Sequence, residues 1–174
     1  RLVLALAVIP SSLAAPGKPL SAYSRETWTT RNGLPHNQVN AVAQTSDGYL
    51  WFATWEGLVR YNGQDFRVLN PDNTPALKDH GVRQVSVGPS GRMVVATSRG
   101  GISVREGGAW RHFGKAEGLA QNETIGAIDG GDGSIWVAHE SEGLSHIAAD
   151  GKITVWNTGN GLPADRLYAV YRDR

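Results

Sequence analysis

The sequence predicts an all-β protein, a β-propeller built from four-stranded antiparallel blades of about 43 residues. Three observations carry this. Glycine turns recur at Gly48, Gly91 and Gly133, spaced by 43 and 42 residues, and again at Asn62-Gly63, Glu106-Gly107 and Asp150-Gly151, spaced by 44 and 44. Short runs rich in Val, Leu, Thr and aromatic residues lie between the turns, which is the strand signature. None of these runs reaches helix length before a breaker. Four hairpin-linked strands per repeat of this length is the blade of a propeller.

The elements follow in order. In the first unit the runs are residues 39–44, 50–54, 58–61 and 66–69. Asp-Gly and Asn-Gly between them supply the positive φ that tight hairpins need. Each unit opens on a loop: Gly33-Leu34-Pro35-His36-Asn37, Gly118-Leu119-Ala120-Gln121-Asn122 and Gly161-Leu162-Pro163-Ala164-Asp165. A degenerate copy at Ala76-Leu77-Lys78-Asp79-His80 keeps only the leucine of Gly-Leu-Pro. Five residues before each Gly-Leu stands an aromatic, Trp28, Phe113 or Trp156. Blades are expected at about 37–70, 80–114 and 122–157. In the third unit Gly118 to Ile125 is seven residues where the matching intervals are six, which predicts a local bulge there.

The chain ends have their own readings. Residues 23–30 match the outer strand of a preceding blade, and 167–171 match the inner strand of a following one. The expectation is therefore three whole blades within 21–174, plus partial flanking blades, as part of a larger ring. Before them, the apolar run 2–9, followed by Pro10 and the small-residue pattern Ser12-Leu13-Ala14, reads as a clipped signal peptide and leader over 1–20. That run is far shorter than the roughly 20 residues a membrane-spanning helix needs.

Composition excludes several functions. The chain has 174 residues, no cysteine, and 17 Lys+Arg against 16 Asp+Glu. Without a cysteine thiol it is no disulfide scaffold, zinc finger or thiol enzyme. Near-neutral charge gives no cationic field for nucleic acid. The five histidines show neither the i, i+2 nor the i, i+4 spacing of a metal pair, so no metal or cofactor is expected. Asp129-Gly130-Gly131-Asp132-Gly133 lacks the distal glutamate of a calcium loop and reads as a repeat turn. No nucleophile elbow or phosphate loop is present.

Residues 33–66, GLPHNQVNAVAQTSDGYLWFATWEGLVRYNGQDF, closely resemble the repeat of two-component regulator propellers. The third unit resembles it through Gly118-Leu119, Asn122, Asp132-Gly133, Trp136 and Glu142-Gly143-Leu144, while the second is degenerate. The resemblance implies a ligand-binding sensor domain in the periplasm, exported by a signal peptide and belonging to an inner-membrane receptor. The output domain would be a diguanylate cyclase or a histidine kinase, and the full receptor a homodimer. No residue in this chain performs either chemistry. The sequence also leaves open a secreted propeller enzyme of lyase or glycosidase type, and a periplasmic protein-binding scaffold.

Loop position selects candidate ligand-binding residues. The outer-to-inner connection and the loop between second and third strands emerge on one face of a propeller. They carry His36, Asn37, Trp55, Glu56, Arg99 and Glu140. Trp55 stands out, since no strand packing is expected of it at a loop tip. An aromatic face stacks on sugars and flat rings, and Arg and Glu hold polar groups. The expected ligand is a small molecule or saccharide.

Overall fold

The computed structural model describes residues 20–22 and 25–173. The expected leader therefore falls almost wholly outside the described residues, as do residues 23 and 24. Twelve strands form among the described residues. They are β1 Val39–Gln44, β2 Leu50–Thr54, β3 Gly57–Tyr61, β4 Phe66–Leu69, β5 Val82–Val87 and β6 Met93–Thr97. Then come β7 Ile102–Glu106, β8 Ala109–Phe113, β9 Thr124–Asp129, β10 Ile135–His139, β11 Leu144–Ile147 and β12 Ile153–Trp156. They pair into three four-stranded sheets, each in simple sequence order, and every pairing is antiparallel. The β-propeller fold read from the periodicity is the fold observed.

The glycine opening each third strand shows why the turns repeat. Gly57, Gly101 and Gly143 all have positive φ, and a Cβ there would collide with the carbonyl of Leu69, Phe113 or Trp156. Only glycine takes that conformation with no side chain to clear.

Burial comes from stacking the sheets face to face. Trp51, Leu58, Val85, Met93 and Val95 fill the space between the first and second blades. Val94, Val104, Ala127, Ile135 and Val137 fill the next gap. The loop leucines are buried too, at 0% and 3% exposure for Leu77 and Leu119 in these two seams and 6% for Leu34 on the first blade's other face. Leu77 keeps that role although its unit has lost Gly-Leu-Pro, because burying an apolar side chain needs only the leucine. Trp28 packs on Phe52, Tyr61 and Phe66 over the first blade's other face, the seam position that Phe113 holds between blades two and three.

The inner strands are tied by side chains reaching across the seams. Asn40 Nδ2 donates to Val82 O at 2.8 Å, and Ser86 Oγ donates to Ala127 O at 2.9 Å. Gln84 Oε1 accepts the Ala127 N–H at 2.8 Å.

One expectation is corrected. The bulge is not peculiar to the third unit, since the ladder skips one residue in every inner strand, at Asn40, Arg83 and Ile125. Thr124, not Ile125, matches Val39 and Val82, as their pairing with His139, Thr54 and Thr97 shows. A threonine at a valine position disguised an unbroken register. The segments 25–29 and 167–171, read as strands of flanking blades, carry no ladder within this chain. A strand is defined by ladder partners, and none pairs with these segments among the described residues.

Candidate functional site

Residues pairing at the strand ends place the β2–β3, β6–β7 and β10–β11 loops beside the starts of the inner strands. Val39 pairs with Thr54, Val82 with Thr97 and Thr124 with His139. At this end a cluster draws on all three blades. Trp55, from the β2–β3 loop, lies over Gly81, where an added Cβ would sit 3.0 Å from the indole and 3.2 Å from Ser98 Cβ. The Arg83 guanidinium lies 5.9 Å from the Trp55 ring. Its Nη2 donates to Glu140 Oε2 at 3.2 Å, while Nε is buried without a partner. With side chains 26% and 42% exposed, the Arg83–Glu140 pair stays open to solvent. Such a pair is worth little for stability.

Beside it lies a cleft of about 320 Å³ lined by Gln121, Glu123, Glu140, Ser141 and Arg166. Ser141 Oγ donates to Gln121 Oε1 at 3.1 Å, and Gln121 Nε2 to Glu123 O at 3.0 Å.

His139 is fully buried below this face. Its Nε2 lies 2.7 Å from Ser145 Oγ, which also accepts the Ala120 N–H at 3.1 Å. Burial pushes the His139 pKa down to about 4, so the ring is neutral. His139 holds the ladder place of Thr54 and Thr97, whose hydroxyls donate to Gly57 O and Gly101 O. It is a core group and does not reach the surface.

The other residues expected to bind ligand divide. Asn37 Oδ1 accepts the Thr30 N–H at 2.8 Å. Asn122 does the same for Lys115 at 2.7 Å, and Asp165 for Thr158 at 2.6 Å. This position ties the connecting loop in each unit. His36 Nδ1 accepts the Gln38 N–H at 3.0 Å, also within its own loop. The Arg99 backbone N–H donates to Asp79 Oδ2 at 2.8 Å, and the Arg99 side chain is exposed. Glu56 is exposed, with its backbone N–H on Thr54 Oγ1 at 3.3 Å. Trp55 and Glu140 are the two that the structure joins, through Arg83.

Sequence reasoning passed over Arg83. The available signal was a charge on an inner strand where the matching residues are Asn40 and Ile125. Trp55 also differs from expectation. It is only partly exposed and packs on the next blade, because Gly81 leaves a flat backbone surface for the indole.

Residues 33–56 match the two component regulator propeller family; this segment is one such repeat. No curated protein matches the chain. Among solved structures it is similar to the extracellular domain of a protein described as a hybrid two component system of B. thetaiotaomicron. That likeness has a TM-score of 0.74 at 22% identity, over 83% of this chain and 22% of the other. A second such domain from B. thetaiotaomicron gives 0.58 at 19% identity, over 70% and 19%. Virginiamycin B lyase from Staphylococcus aureus gives 0.53 at 17% identity, over 71% and 42%. The chain thus spans about a fifth of the length of the two B. thetaiotaomicron domains.

Proposed function

We propose that this chain is part of the extracytoplasmic ligand-sensing propeller of a bacterial transmembrane receptor, whose output is a diguanylate cyclase or a histidine kinase. One observation carries the reading: Trp55, Arg83 and Glu140, from three different blades, meet at the loop end, and the Arg83–Glu140 pair there is partly exposed. A ligand gripping this cluster touches every described blade at once. It therefore biases how the blades pack, which is how binding at one place shifts a distant equilibrium. The family match at 33–56 supports a receptor of this kind. The ligand class is a small molecule or saccharide with an acidic group, the ring lying on Trp55 and the acid on Arg83. The full receptor acts as a homodimer.

The test is thermal stabilisation of the full chain by glucuronate, with glucose as the uncharged control. Stabilisation by glucuronate that is lost in Arg83→Gln supports the reading. Equal responses of the two proteins remove Arg83 from the site. Turnover of an added glycoside would favour the secreted-enzyme alternative.

A further inference from the structure

We infer that the groove between the first and second blades, away from the loop-end cluster, is a second binding site for a small molecule bearing a dianionic oxyanion. Arg60 on β3 and Arg67 on β4 are direct cross-strand partners. Arg105 on β7 faces them from the next blade, and the three line one groove of about 370 Å³ with Trp51 and Trp110. The Arg60 and Arg105 guanidiniums each lie 5.8 Å from the Trp51 ring. Arg60 also stacks 3.5 Å over Tyr49, and its Nε is buried with no hydrogen-bond partner.

Like charges directly opposite on a ladder repel, and the groove adds a third. Among the described residues the ion pairs use other side chains, so none of these arginines is neutralised by a carboxylate. Asp47 feels the Arg60 charge, but Thr45 Oγ1 holds its carboxylate at 2.5 Å.

The repeat supplies an internal control. In the seam between the second and third blades, ladder register puts Val104 at the place of Arg60 and Ile147 at the place of Arg105. The matching cleft there, about 330 Å³, keeps an arginine, Arg111, at the place of Arg67 but has lost the other two. Arg60 and Arg105 are therefore additions of the first seam alone, and guanidinium forks around one opening are suited to phosphate or paired carboxylates.

The test is calorimetric titration of the full chain with phenyl phosphate, citrate and phenol. Saturable binding of phenyl phosphate or citrate, with none for phenol, is expected, and whichever anion binds tighter identifies the source. Arg60→Val and Arg105→Ile place the neighbouring repeat's residues in the groove. Each should weaken binding about tenfold, the worth of a charge-assisted contact, without lowering Tm. Arg60→Gln provides a polar second variant should Val not fold. Arg83→Gln, at the loop end, should leave this affinity unchanged, which separates the two sites. Equal affinity in the Arg60→Val/Arg105→Ile double variant, or no saturation by either anion up to about 10 mM, overturns the inference.

Discussion

Arg92 and Asp129 face each other across the seam between the second and third blades, with Nε 2.8 Å from Oδ2 and the Asp129 side chain 2% exposed. The same guanidinium donates to Gly133 O at 2.9 Å and Ser134 O at 2.8 Å, while Asp129 Oδ1 accepts the Gly131 N–H at 2.7 Å. Every atom of the buried carboxylate is thereby satisfied. Arg92→Ala strands that charge, which costs about 3–5 kcal/mol for a broken buried pair. A urea midpoint that falls by much less would show that Asp129 escapes to solvent. Gly88 belongs to the same device, because a Cβ there would enter the Asp129 carboxylate. Gly88→Ala should destabilise by about 1–3 kcal/mol through overpacking.

His139 makes stability depend on pH. Its folded pKa of about 4 lies below the ordinary 6.5, because burial penalises the charged ring. The unfolded chain therefore takes up the proton first. The contribution is complete above the ordinary pKa and declines as pH falls from 6.5 towards about 4. At about pH 5 the loss amounts to about 2 kcal/mol. His112 is shifted the same way by burial and adds to the trend. In His139→Thr, which copies positions 54 and 97, the difference in urea midpoint between neutral and mildly acid buffer should shrink. An unchanged difference would place the acid sensitivity elsewhere.

The loop tie at Asn122 should be worth about 1 kcal/mol, as for a side chain that satisfies a free backbone N–H. Asn122→Ala is expected to lower Tm, and Asn122→Asp to restore it, since Asp165 makes the same bond in the next unit. If alanine and aspartate behave alike, the bond to Lys115 N is not contributing.

These ties show where sequence and structure part. The strand runs and glycine turns were legible because period and positive φ are local properties. Asn37, Asn122 and Asp165 could have been read as ties from their shared place in the repeat, yet an exposed polar loop residue looks the same whether it binds backbone or ligand. The bulge was read as peculiar to the third unit because Thr124 hides among valines, although β-branched shape makes the two interchangeable on a ladder. Arg83 and Arg60 were invisible as sites because their meaning comes from which blade faces them, and a seam joins residues some forty positions apart.

Trp55 combines both roles, and its substitutions must be chosen accordingly. The indole covers Gly81 and Ser98 while its ring faces Arg83. Trp55→Ala removes interblade packing and should cost about 1–3 kcal/mol, so a lost response in that variant confuses folding with recognition. Trp55→Phe keeps an aromatic face over Gly81 with a smaller ring. It should hold Tm within a few degrees, as expected for a loss below about 1 kcal/mol, while weakening glucuronate stabilisation. Retention of full stabilisation in Trp55→Phe alongside its loss in Arg83→Gln would assign recognition to the charge and leave Trp55 as packing.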